Sequence, residues 1–141
     1  MKPIRIEQVT AISDALAIRA AVFIEGQGVP ANEEVDGRDP ECLHWVVHDD
    51  VGPVATLRVL SKSENLAKIQ RVAVLERARG TGLGAALMLH VMRELADMGF
   101  THATLGAQIS VVEFYERLGF AAHGPTYLDA GIVHRDMDCA L

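Results

Sequence analysis

The chain has 141 residues, half of them hydrophobic, and a formal net charge of −6. That is the size of one ordinary domain with apolar content for a sizeable core. The acidic balance excludes a general binder of nucleic acid or anionic membrane, which needs clustered Lys and Arg.

Taken in chain order, residues 3–9 alternate well enough for a short strand. A helix is expected over 13–25, where Ile12, Leu16, Ala20 and Phe23 recur at helical spacing and Gly26, Gly28 and Pro30 stop the pattern. Residues 26–40 lack periodicity and form a long loop, a kind that is usually functional or mobile. Residues 42–49 form a strand with Leu43, Trp45 and Val47 on one face and His44, Val46 and His48 on the other. Short turns at 50–53 and 61–65 make the strands 54–60 and 66–75 its antiparallel successors. The main helix covers 81–98, where Leu83, Leu87, Val91 and Leu95 form an i+4 row and Gly99 ends it. A strand over 101–107 precedes a short helix that starts at Ser110, capped in a box with Glu113, and ends at Gly119. Strands near 120–126 and 132–140, split by Asp129-Ala130-Gly131, complete the order β-α-β-β-β-α-β-α-β-β. This is one α/β domain with a mixed sheet. No membrane-length apolar run occurs and the start, MKPIRIEQVT, lacks a signal-peptide core, so a cytoplasmic protein with Cys42 and Cys139 reduced is expected.

The chemistry concentrates in residues 68–85, KIQRVAVLERARGTGLGA. An apolar strand runs into Arg77, Arg79, Gly80, Thr81, Gly82, Leu83 and Gly84, and then a helix. These letters satisfy the loose dinucleotide pattern G-x-G-x-x-A. However, Glu76-Arg77-Ala78-Arg79 separates strand from glycines, and residues 101–107 hold no acidic residue to meet a ribose. No G-K-[ST] is present, so a P-loop is excluded. The alternative spacing, Arg79-x-x-Gly82-x-Gly84, places an arginine and bare backbone N–H groups at a helix start, where the free donors and the helix dipole favour an anion. Arg77 and Arg79 suit the further phosphates of a CoA-like ligand; the bland reading is a solvated basic patch.

The stretch RVAVLERARGTGLGAALM resembles the acetyl-CoA motif of the GNAT N-acetyltransferase superfamily, [QR]-x-x-G-x-[GA], and FYERLGF at 114–120 resembles its second motif. The pieces VFIEGQGVP, EVDGRD, H-W-V and GIVHRDM are similar to the ElaA-type bacterial branch, with Gly26 in place of a common Glu and Val133 in place of a common Pro. The resemblance implies a mostly antiparallel sheet whose central strands splay, with the pantetheine arm of acetyl-CoA paired to Val72, Ala73 and Val74 like an added strand. It also implies that the N–H of Val72 or Ala73 stabilises the oxyanion, that Tyr115 is the general acid for the leaving thiolate, and that Gln108 contacts pantetheine or substrate. On the acceptor side it points to Glu34 and Asp36, which match the branch's E-x-D, and to His44 and His134. A homodimer through the last strands is common in the superfamily.

The activity this implies is acetyl transfer to a primary amine of a small molecule. Acetylation of protein lysines or N-termini, or a non-catalytic CoA-binding regulatory module, remain as alternatives. No metal is expected: His44 and His48 share a strand face without a third ligand.

Overall fold

The computed structural model describes residues 3–141. Its elements follow the expected order: β1 (Arg5–Val9), α1 (Ser13–Arg19), α2 (Ala31–Glu34), β2 (Leu43–His48), β3 (Pro53–Ser61), β4 (Leu66–Val74), α3 (Leu83–Asp97), β5 (His102–Gln108), α4 (Val112–Arg117), β6 (Ala121–Asp129) and β7 (Ile132–Ala140). Among the described residues the strands form one seven-stranded sheet in the order β1-β2-β3-β4-β5-β7-β6. All neighbours are antiparallel except β4 and β5, which α3 connects as a parallel pair.

Both faces of the sheet are covered, and the alternation in β2 shows how. Trp45 and Val47 join the main core with the buried row Leu83, Leu87, Val91 and Leu95 of α3, while Val46 packs with Ala15, Ile18 and Val22 on the opposite face. The Trp45 indole N–H donates to Glu94 of α3, so one polar contact pins the helix at the heart of an apolar layer. Ala130 and Gly131, both at positive φ, form the two-residue turn between β6 and β7, the geometry that matches strand twist.

Three expectations need correction. The first helix is α-helical only to Arg19; residues Ala20–Glu25 are π-helical, with Gly26 N–H bonded to Ala21 O at 3.0 Å. One wide turn leaves the apolar spacing almost unchanged, so periodicity does not reveal it. The loop over 26–40 contains α2, and a 3₁₀ turn at Asp39–Glu41 follows it. Ser110 does not cap α4, because a 3₁₀ turn at Ile109–Val111 moves the first helical residue to Val112 and leaves Glu113 pointing at Arg117.

Candidate active site

The sheet opens at its centre. β4 and β5 pair only at Leu66↔His102, Ala67↔Ala103 and Lys68↔Thr104, although both strands continue. Residues 69–74 and 105–108 therefore flank a gap that widens into a cleft of about 930 Å³. The cleft passes through the sheet, from Phe23, Gly26 and Gln27 on the π-helical side to Leu83, Gly84, Phe114 and Tyr115 on the α3–α4 side.

A bulge sits on its β4 wall. The register with β3 shifts between Thr56↔Ala73 and Arg58↔Gln70, so Arg71 and Val72 together oppose Leu57, and Arg71 adopts φ 55°. The hydrogen-bond phase settles which amides are free. Leu75 N–H donates to Val54 O, and alternation two residues back turns the Ala73 amide toward Thr56 as well. Alternation turns Val74 toward the gap, and the Arg79 guanidinium bonds Val74 O at 3.1 Å, while Val72 lies in the bulge on the cleft wall. Of the two residues expected to meet an oxyanion, Ala73 is paired with Thr56 of β3 and Val72 lies in the bulge; both line the cleft.

Beyond β4 the chain turns through Gly80 and Gly82, at φ 76° and 81°, into α3. Left-handed backbone at both positions is what glycine supplies without strain. No side chain caps α3 and its first turn holds no acidic residue, so its leading N–H groups stay open to an anion. Gly84 serves differently: a Cβ there would meet the Phe114 ring at 3.4 Å, about van der Waals contact, so this position sits close under α4. Gly80, Gly82, Leu83, Gly84 and Arg79 line the cleft. Thr81 sits in the turn with its hydroxyl bonded to Ala78 O. Arg77 is turned away into an ion pair with Asp49 at 2.6 Å, which removes it from the expected anion site.

Tyr115 projects from α4 into the same cleft, edge-on to Phe114 and Phe120 at centroid distances of 5.0 and 6.0 Å. Burial pushes its phenol up to about 12. Its hydroxyl has no hydrogen-bond partner among the described residues, so an intact O–H faces the cleft.

At the other end, Gln27 and Gln108 join their side-chain amides across the mouth at 3.0 Å. His134 lines the cleft, stacks on Tyr127 at 5.9 Å, and places Nδ1 2.7 Å from Ile132 O. A carbonyl only accepts, so Nδ1 carries the proton and Nε2 keeps its lone pair in the neutral ring. The Tyr127 hydroxyl donates to Asp136 at 2.7 Å, and a Cβ on Gly106 would come within 2.3 Å of it. Tyr127 and Asp136 lie near His134 in the sequence and Gly106 does not; the cross-strand pairs Tyr127↔His134 and Gly106↔Asp136 assemble them.

The acidic loop departs from expectation. Glu34 is only 2% exposed, and its carboxylate is held by Arg19 at 2.8 Å and Arg71 at 2.7 Å. Asp36 binds Arg58 at 2.7 Å, and that guanidinium, first among several causes, holds its carboxyl far below the ordinary range. Neither presents a free carboxylate to an acceptor. His44 is buried on the α1 face with Nε2 2.9 Å from Asp39 O, away from the cleft. Glu33, Glu34 and Asp129 are the acidic residues of the cleft lining, and of these Glu33 and Asp129 are exposed. Among the described residues no group of three or more His, Cys, Asp or Glu side chains is arranged to hold a metal, and no helix is long and apolar enough to cross a membrane.

Comparison with known proteins bears on this geometry. Residues 18–141 match the family model described as acetyltransferase (GNAT) domain. The chain is 35% identical over 138 residues to the uncharacterized N-acetyltransferase YjcF of Bacillus subtilis, covering 97% of this chain and 98% of that protein. Among solved structures, an acyl-CoA N-acyltransferase from Pseudomonas aeruginosa superposes with a TM-score of 0.85 at 30% identity, covering 99% of this chain and 100% of the other. Escherichia coli ElaA superposes with a TM-score of 0.83 at 26% identity, covering 99% of each chain.

Proposed function

Because the chain belongs to the GNAT acetyltransferase family, and is thus an acyltransferase, we propose that it transfers the acetyl group of acetyl-CoA directly to a primary amine of a small molecule. The observation that carries this reading is the free edge of β4 beyond Lys68, which leads straight to an uncapped helix N-terminus. An extended amide-bearing arm fits the edge as an added strand, and a pyrophosphate fits the turn. Acetyl-CoA supplies an acetyl group activated as a thioester; the rest is done by residues of this chain.

Val72 and Val74 hold the arm, and Gly80, Gly82, Leu83 and Gly84 offer backbone N–H groups to the phosphates beside Arg79. The Val72 N–H donates to the thioester carbonyl oxygen and strengthens as negative charge gathers there. The amine nitrogen bonds to the carbonyl carbon, the carbon–sulfur bond breaks, and Tyr115 gives its proton to the departing sulfur. A phenol with an unpaired O–H and a raised pKa is a donor that stays protonated at neutral pH. His134 Nε2, with its tautomer fixed by Ile132, takes the proton that the amine must lose. The Gln27–Gln108 bridge narrows the acceptor mouth, which supports a small acceptor over a peptide.

The test is a panel of primary amines with CoA thiol release as the readout. Turnover with at least one amine is expected, and Tyr115→Phe lowers kcat about 100-fold, the lower end of what a positioned acid contributes. Failure of CoA to bind in a calorimetric titration removes the whole reading.

A further inference from the structure

The bulge in β4 is a costly piece of backbone. Arg71 has a Cβ, yet it occupies the left-handed region that such residues avoid. Nothing in its local sequence asks for this: the flanking residues are Gln70, Val72 and Ala73. A buried ion network meets it there. The Arg71 guanidinium reaches the Glu34 carboxylate at 2.7 Å, and the Glu33 and Glu34 carbonyls at 3.2 Å. From the other side Arg19 binds Glu34 through Nε at 2.8 Å and Nη2 at 3.2 Å, and Asp39 through Nη1 at 2.7 Å. Asp39 also takes Arg58 at 2.9 Å, and Arg58 binds Asp36 at 2.7 Å. Arg58 returns to β4, where its Nε donates to Gln70 at 3.1 Å, one residue before the bulge.

Three guanidinium groups thus meet three carboxylates, so the cluster is neutral although Arg19, Glu34 and Arg58 are almost fully buried. It spans α1, the segment from α2 to the following 3₁₀ turn, and both strands beside the bulge. Its links to β4 end on Gln70 and Arg71, the two residues immediately before Val72.

We infer that this network is the device that holds the β4 bulge and so aims the Val72 amide into the cleft; Glu34 and Arg71 are positioning residues for the thioester, not ligands of the acceptor. The inference rests on the acetyl-transfer reading only for the job of Val72. The hold on the bulge is a property of the free protein.

Glycine separates the two roles of residue 71, because it enters positive φ freely whereas alanine does not. Arg71→Gly, Arg71→Ala and Glu34→Gln of the full chain are compared by kcat, by KM for the acceptor, and by the amide resonance of Val72 in the ligand-free protein. Arg71→Ala and Glu34→Gln are expected to lower kcat about tenfold or more, with acceptor KM within about twofold, as for an interaction felt chiefly in the transition state. Arg71→Gly is expected to keep roughly fivefold more kcat than Arg71→Ala, the share of left-handed strain that glycine avoids. Its Val72 resonance should stay near wild type, while that of Arg71→Ala moves. Equal losses in the Gly and Ala variants, or a raised acceptor KM at unchanged kcat, overturn the proposal. Arg71 is partly exposed and its two variants carry the test should Glu34→Gln fail to fold. If the wild type acetylates no amine, the functional reading fails, yet the Val72 resonances still decide whether the network holds the bulge.

Discussion

The tasks proposed for Tyr115, His134 and Tyr127 rest on the surroundings of each side chain in the cleft. Tyr115 is an acid only while protonated, and burial raises its pKa to about 12. A group raised above its ordinary value of 10.0 keeps its proton until pH approaches the folded value, so kcat is expected to show no alkaline fall from this residue below about pH 11. A pH–rate profile that falls with an apparent pKa near 10 removes Tyr115 from the role. His134 and Tyr127 depend on Gly106, whose missing Cβ leaves space for the Tyr127 hydroxyl. Gly106→Ala pushes that hydroxyl off Asp136 and tilts the ring stacked on His134. The expected result is an acceptor KM raised severalfold with CoA affinity unchanged, read by steady-state kinetics beside calorimetry. Tyr115 and His134 stand in motifs quoted from the sequence, and the structure places both in the cleft lining. Glu34 was misassigned for a physical reason: a carboxylate in a polar loop looks solvated until the fold brings Arg19 and Arg71 to it from two other elements.

Elements carry the donor site, and here the sequence could be read further. The i+4 row of α3 and the glycines before it announce a helix with an open N-terminus. The structure adds that Gly82 closes the turn at φ 81°, at the cap itself. Gly82→Ala forces a Cβ into left-handed backbone at a strain of about 1 kcal/mol, or shifts the leading N–H groups out of line. CoA affinity is therefore expected to fall about fivefold or more, whereas Gly84→Ala meets a Phe114 ring that has to give only slightly. Equal affinities for Gly82→Ala and wild type contradict the anchoring role. The π-helical turn and the β4 bulge were not legible. Each inserts one residue into a regular repeat, and one residue does not disturb an apolar pattern enough to be seen. Gly26 follows from the first of them, since a Cβ there would stand 2.5 Å from Val22 O.

At the scale of the whole molecule, the sheet is two blocks joined by three residue pairs and by α3. The splay of the centre was implied by the family resemblance, and the antiparallel succession of β2, β3 and β4 by the short turns between them. The order β5-β7-β6, which sets β7 inside and β6 at the edge, follows from neither, because a hairpin reads alike in either placement. The β1–β4 block carries two carboxylates that respond to acid. Asp36 and Asp39 have depressed pKa values through Arg58 and Arg19, against the opposing effect of burial. A carboxylate depressed in this way contributes stability that is fully present above its unfolded value of 3.8 and is lost as pH falls toward its folded value. Unfolding midpoints in denaturant are thus expected to decline below about pH 4, and Arg58→Met, which takes from Asp36 its shortest ion pair and leaves Asp39 to Arg19 alone, is expected to cost about 3–5 kcal/mol at neutral pH.

Ligand binding works across the same divide. An arm paired to β4 fills the gap between the blocks, and anything that binds only the folded state stabilises it by mass action, by about 2.7 kcal/mol at a hundredfold excess over Kd. Amide exchange localises the effect. Residues 66–68 are already paired to β5, and β5 is paired to β7 along its full length, so their protection is set before any ligand arrives. Val72 and Val74 lie beyond the last β4–β5 pair, where no strand of this chain is paired on the cleft side. CoA is therefore expected to slow exchange at these two and at the first turn of α3, and to leave Ala73, already turned to Thr56, nearly unchanged. An alternating pattern along β4 is the signature of an added strand. Uniform protection of residues 69–74 instead means that the blocks have closed on each other around a ligand held elsewhere.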